Sequence, residues 1–159
     1  MNYCWLKQIA LEQMTQEAER AFPRETGGIM IGYVGESGEP VVMAAIGPGL
    51  NAKHSLSRFL PDHSWQCTQI DMHYESSNGK LVYLGDWHTH PNGSPYMSWI
   101  DKRTLMRIAQ HSEARQTHPL MLIGAGGPTD WTWQCHQHID GRFLHLLSRH
   151  RNLYLRRFD

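Results

Sequence analysis

Two short segments of this 159-residue chain place reactive side chains at spacings that matter. The first, Gly85-Asp86-Trp87-His88-Thr89-His90-Pro91, puts two imidazoles two residues apart. On a strand such residues project from the same face, so His88 and His90 would stand side by side. Two neutral imidazoles and one carboxylate form a three-ligand set for zinc, with a fourth position left for water. The second segment, Ser98-Trp99-Ile100-Asp101, follows after a short loop, and Asp101 is the candidate carboxylate. Ser98 lies three residues before it on the same helical face. An S-x-x-D that opens an apolar helix is also the pattern of a capping box, so Ser98 carries both a catalytic and a structural reading.

Hydrolysis at such a centre needs a proton acceptor for the water and a proton donor for the departing amine, and one carboxylate can serve both in turn. Glu25 is a candidate because it follows Pro23 at the end of a helical pattern and precedes Thr26-Gly27-Gly28-Ile29. Spacing alone does not separate it from Glu12, Glu17 or Glu19. Ser98 would donate a hydrogen bond to the oxyanion. Cys135-His136-Gln137-His138 also gathers metal-binding types. Neighbouring strand residues face opposite ways, however, and no fourth ligand follows at finger spacing, so no second zinc site is expected there. His54 reads as a substrate contact or as surface, and Trp87 and Trp99 as core or rim packing around the centre.

The elements that must position these groups are of mixed type. Between Leu6 and Phe22, Leu11, Met14, Ala18 and Ala21 recur at helical spacing, and Pro23 stops the pattern. Gly28 to Val34 and Val41 to Ile46 are β-type runs around a turn-rich gap, which predicts a hairpin, and residues 47–55 read as a loop. Asp62 caps a predicted helix through Trp65, Ile70 and Tyr74 that ends at Asn78-Gly79. Leu81 to His88 reads as a buried strand, and Ser98 opens a helix with Ile100, Leu105, Ile108 and Ala109 on its apolar face. Pro119 to Ala125 and Trp131 to His138 are two further strands joined at Gly126-Gly127-Pro128. The basic tail with Arg142, Arg149, Arg151, Arg156 and Arg157 reads as an acidic contact or, more commonly for such runs, a solvated helix face. This order gives an α/β layer structure with a mostly antiparallel or mixed sheet. No repeat or linker divides the chain, so residues 1–159 read as one domain.

Composition excludes several classes of function. Fifteen Lys and Arg balance fifteen Asp and Glu, and nucleic-acid binders are usually strongly basic. Cys4, Cys67 and Cys135 form no C-x-x-C pair, which argues for a reducing cytoplasm rather than a disulfide framework. The N-terminal residues lack the pattern of a secretory signal, and no run approaches the ~18 apolar residues of a membrane span.

Glu25, His88-Thr89-His90-Pro91 and Ser98-Trp99-Ile100-Asp101 together resemble the signature of the JAMM (MPN-type) zinc metalloproteases. The likeness extends over roughly residues 5–138. It implies an α/β, MPN/cytidine-deaminase-like fold, a curved mixed sheet flanked by helices. It also implies Zn2+ on His88, His90 and Asp101, Glu25 as the acid–base group through its Glu-Thr-Gly-Gly context, and Ser98 at the oxyanion. The activity it implies is an isopeptidase or peptidase that cleaves after the C-terminal tail of ubiquitin or a ubiquitin-like protein. Such a tail is expected to enter extended and to pair with a sheet edge beside the site.

Gly47 to Ser55, Tyr83 to Pro91 and Asp101 to Leu105 are similar, more narrowly, to the small bacterial JAMM proteins of anti-phage CBASS operons. In those operons the C-terminus of a nucleotide cyclase (CD-NTase) is conjugated to targets. That likeness implies such a conjugate as substrate and the cognate activating or conjugating enzyme as partner, with no nucleic acid and no membrane. An inactive scaffold and a small-amide zinc hydrolase are the alternative readings, and the intact ligand set with Glu25 counts against the scaffold.

Overall fold

A computed structural model describes residues 2–139 and 149–159. The chain order is β1 (Tyr3–Lys7), α1 (Gln8–Ala21), β2 (Gly27–Val34), β3 (Pro40–Ile46), β4 (Lys53–His54), β5 (Phe59–Leu60), α2 (His63–Ser76), β6 (Val82–Pro91), α3 (Trp99–Gln110), β7 (Leu120–Gly127), β8 (Asp130–Ile139) and β9 (Arg149–Phe158). Seven strands close into a barrel in the order β1-β3-β2-β6-β7-β8-β9, with β9 pairing back onto β1. The pairs β1·β3, β1·β9 and β6·β7 are parallel and the other barrel pairs antiparallel. The expected mixed α/β fold is present, with the curvature of its mixed sheet carried to closure. Strands β6 and β7 are parallel because α3 returns the chain between them. None of the helices in the described residues is long and apolar enough to cross a membrane.

Closure depends on two strands that the sequence reading did not find. β1 alternates, with Cys4 and Leu6 buried and Tyr3, Trp5 and Lys7 outside, so α1 begins at Gln8 and not at Leu6. β9 replaces the predicted helix face of the basic tail over Arg149–Phe158, while Arg142 lies outside the described residues. Leu153 points into the core, and Arg156 stacks on Tyr3 at 4.1 Å on the outside. The charged outer face hid a period of two, and its pairing partner lies at the opposite end of the chain. Within the predicted loop 47–55, Lys53–His54 pairs with Phe59–Leu60 in a small separate sheet.

Ala10, Met14, Leu6, Met30, Val42, Leu84 and Trp87 share one core cluster, so the apolar stripe of α1 packs against residues of the barrel strands. Each fully buried Leu, Met or Val among them contributes about 1.5–3 kcal/mol. The weak periodicity of α2 has a structural cause: Gln66 is its one buried residue, and Ile70 rests partly buried against Ile29, Ile31 and Ile46. Asp62 caps this helix as expected, accepting from the Trp65 N–H.

The two glycines after Thr26 are steric requirements. A Cβ on Gly28 would lie 1.8 Å from the Ile46 carbonyl oxygen and 2.7 Å from the Trp87 indole nitrogen, which itself donates to that oxygen at 3.0 Å. A Cβ on Gly27 would meet the Trp87 carbonyl oxygen at 2.4 Å and His88 Cβ at 2.9 Å. Gly28→Ala is expected to cost about 1–3 kcal/mol or more in urea unfolding. Gly47→Ala, whose Cβ meets nothing within 4 Å, serves as the control.

Candidate metal centre

The register of β6 sends His88 and His90 to one face, and α3 brings Asp101 to them. His88 Nε2 and His90 Nε2 lie 3.1 Å apart. Asp101 Oδ1 is 3.1 Å from the first and Oδ2 3.5 Å from the second. One donor atom from each of the three residues falls within 4.8 Å of the other two, and this is the only such group of three among the described residues. His90 Nδ1 lies 2.9 Å from the Ser94 carbonyl oxygen, which can only accept. In the neutral ring the proton therefore sits on Nδ1, which leaves the Nε2 lone pair for a metal ion. Two imidazole nitrogens and a carboxylate, all half-buried or buried, fit a divalent metal ion that takes N and O ligands.

Asp101 owes its position to the start of α3. The Ser98 N–H and the Ser98 hydroxyl each donate to Asp101 Oδ2 at 2.7 Å, and the Asp101 N–H returns to Ser98 Oγ at 3.2 Å. This is a complete capping box, so the structural reading of Ser98 describes the observed geometry. Because Asp101 holds the inward position of the first turn, Ile100 is turned out, at 58% exposure, and Leu105 carries the helix into its cluster with Met97, Met121 and Ile123. The predicted apolar face was wrong at Ile100 for that reason.

Glu25 enters the same field of charge. Burial raises the pKa of its carboxyl, while His88 and His90 act to lower it and Asp101 to raise it further. Burial also works against ionisation of Asp101, but the hydrogen bonds to His88 and His90 override it and hold that carboxyl far below the usual range. The His90 imidazole is shifted upward, chiefly by its bond to Asp101. Two of the alternative glutamates have other partners: Glu12 accepts from Gln8, and Glu17 accepts from Arg20 and from the Thr26 hydroxyl.

Several residues that the sequence reading left aside hold Glu25 in place. The Glu25 N–H donates to the Ser55 carbonyl at 2.8 Å, and His54 Nδ1 donates to the Glu25 carbonyl at 2.9 Å. His54 is thus a clamp on Glu25. The Thr26 N–H donates to Thr89 Oγ1 at 3.0 Å, and the Thr89 N–H donates to the Thr26 carbonyl at 2.9 Å. The middle residue of His-Thr-His therefore ties the strand after Glu25 to the strand of the two histidines. Its hydroxyl was the available signal. Trp87 is core, and Trp99, 68% exposed, forms the rim. Cys135 is buried in the main core cluster with Cys4, while His136 on the adjacent face bonds to Asn152 and Pro95, so the two do not converge.

The chain's residues 7–136 match the family model described as prokaryotic homologs of the JAB domain. The chain belongs to this JAB family. With relatives named metalloprotease and isopeptidase, this JAB protein is a hydrolase of the protease class. It is 38% identical over 130 residues to a probable metalloprotease of Sinorhizobium fredii, covering 80% of this chain and 78% of the relative. It is 33% identical over 119 residues to a CD-NTase/cGAS isopeptidase of Enterobacter hormaechei, covering 74% and 64%. A protein of the same name from Escherichia coli is 32% identical over 112 residues, covering 67% and 65%. The chain thus spans just under two thirds of the length of those two isopeptidases. The solution structure of a Desulfitobacterium hafniense protein shares the fold, with a TM-score of 0.70 at 19% identity over 98% of this chain and 93% of that one.

Proposed function

We propose that this JAB-family enzyme is a zinc-dependent isopeptidase of the cytoplasm. Its proposed substrate is a conjugate made through the C-terminus of a ubiquitin-like protein or of a CD-NTase. The observation that carries the chemistry is the convergence of His88 Nε2, His90 Nε2 and the Asp101 carboxylate within 4.8 Å. Similarity to proteins named CD-NTase/cGAS isopeptidase supports a CD-NTase conjugate as substrate, and the proposed setting in CBASS defence rests on the resemblance of the connecting segments.

His88 and His90 through Nε2, and Asp101 through its carboxylate, would hold the zinc. When bound, zinc lowers the pKa of a water and polarises a carbonyl. The Glu25 carboxylate accepts a proton from the attacking water as the new C–O bond forms. It then returns that proton to the lysine nitrogen as the C–N bond breaks, which leaves a free carboxylate and a free amine. Ser98 Oγ can turn its proton to the oxyanion because Asp101 Oδ2 stays held by the Ser98 N–H at 2.7 Å. Among the described strands the barrel is closed, so the edge we assign to an extended substrate tail is that of the β4–β5 pair, beside which Ser55 clamps Glu25.

Ser98→Ala is expected to lower stability by about 1 kcal/mol through the lost cap and kcat by about 10²–10³-fold through the lost oxyanion donor. A rate within a few-fold of wild type would reduce Ser98 to a cap.

Protons and metal compete at His90. Its raised pKa in the metal-free protein means that the His90–Asp101 pair stabilises the fold fully below the unfolded value of about 6.5 and stops doing so as pH rises through the folded value. Metal binding changes in the opposite sense, since the ligand must be deprotonated. Zinc titrations and melting curves with and without chelator, run between about pH 5.5 and 8, should show the largest chelator effect at the alkaline end. A chelator effect that grows toward acid would exclude His90 as a ligand.

The substrate is tested by incubating the zinc-loaded protein with fusions to the C-termini of ubiquitin-like proteins and CD-NTases, and reading the cut by mass spectrometry. Cleavage directly after the C-terminal residue is expected. Cleavage inside a loop, or of short amides alone, would overturn the isopeptidase reading.

A further inference from the structure

We propose that His136 is a positioning residue for this centre: from the wall of the barrel it holds the loop whose carbonyl fixes the tautomer of His90. The inference rests on the reading of His90 as a ligand. His136 lies on β8 and is 1% exposed. Its Nε2 is 2.9 Å from the Pro95 carbonyl oxygen and its Nδ1 2.9 Å from Asn152 Oδ1.

A carbonyl can only accept, so Nε2 must carry the proton. In a neutral ring Nδ1 is then an acceptor and takes the Asn152 NH2, which an amide flip brings to the place that Oδ1 holds in the structure. Burial lowers the pKa of His136 and favours that neutral ring.

The loop from Pro91 to Ser98 leaves β6 and enters α3. Its first part is fixed by the Asn92 N–H on the Gly126 carbonyl at 2.6 Å, and its last part by Met97 in the cluster with Leu105 and by the capping box. Between them lie Ser94 and Pro95, whose successive carbonyls receive His90 Nδ1 and His136 Nε2. Pro95 has no N–H, so a tether at this residue must act on its carbonyl. Apart from the bond of His90 itself to the Ser94 carbonyl, the His136 bond is the one hydrogen bond among the described residues that ties residues 94–96 to a barrel strand. Without it the Ser94 carbonyl would lose its fixed aim at His90. Outer partners of a ligand histidine set its tautomer and orientation, and their loss costs about 10–100-fold in metal affinity or activity.

The test compares His136→Leu, which removes the donor, with His136→Gln, which returns an amide donor at similar reach. Zinc affinity is read by competition with a chromophoric chelator, alongside kcat, KM and the melting temperature of the chelated protein. The leucine variant is expected to bind zinc about 10–100-fold more weakly and to lose kcat with little change in KM, and the glutamine variant to recover most of both. Nitrogen NMR of the wild-type protein gives a second reading that needs no variant, and His136 is expected to be the Nε2–H tautomer. Wild-type zinc affinity in His136→Leu, equal losses in both variants, or an Nδ1–H tautomer would each overturn the inference. A wild-type protein that binds no zinc would instead overturn the ligand reading of His90.

Discussion

Glu25→Gln is expected to leave the protein folded and able to bind zinc while lowering kcat by about 10²–10⁴-fold, the range that a positioned acid–base group supplies. Glutamine keeps the shape and one carbonyl oxygen but can neither take the water proton nor deliver it to the amine. The backbone of Glu25 is held by Ser55 and His54 through its own N–H and C=O, contacts that the substitution does not touch. Its carboxyl pKa is raised by burial, which brings it toward the range where a group can accept and donate within one turnover. Glu17→Gln is the informative comparison, because Glu17 already serves Arg20 and the Thr26 hydroxyl. That change should cost stability and spare the chemistry. Substantial cleavage by a zinc-loaded Glu25→Gln protein would move the acid–base role elsewhere.

Asp101→Asn should have the second large effect, and the effect should fall on metal binding. The substitution retains an oxygen for the Ser98 N–H and so keeps part of the cap, but it removes the charge that faces His88 Nε2 at 3.1 Å. Loss of a ligand itself should exceed the 10–100-fold range of an outer partner, so a fall in zinc affinity of at least about 10²-fold is expected. Asp101→Ala should add a stability loss of about 0.5–2 kcal/mol through the abolished capping box. Chelator competition separates the two effects, since Ser98→Ala impairs the same cap and leaves the three ligands in place. If Asp101→Asn binds zinc as tightly as wild type, the carboxylate is a helix cap and the ligand set is wrong.

How much of this was legible depended on how local each relation is. His88 and His90 could be read directly, because a period of two fixes their common face once the segment is a strand. Asp101 could be read because the start of a helix follows within a short loop. Glu25 could not be chosen over Glu12, Glu17 or Glu19 by spacing, since its distance to the histidines is set by the antiparallel pairing of Gly27 with His88. The resemblance supplied it through Glu-Thr-Gly-Gly, and the structure gives the steric reason for those glycines. The positioning roles of Ser55, His54, Thr89 and His136 were not legible because each acts across a contact distant in sequence.

The sequence by itself determined the donor types, the pairing of two imidazoles on one strand, and the carboxylate one turn into the next helix. Those follow from backbone periods acting over a few residues. Tertiary structure decided that the sheet closes through β1 and β9, which carboxylate stands beside the centre, and which backbone carbonyl sets the His90 tautomer. Strand pairing between distant segments has no local period to announce it. It is selected by the burial and hydrogen bonding of the whole barrel at once.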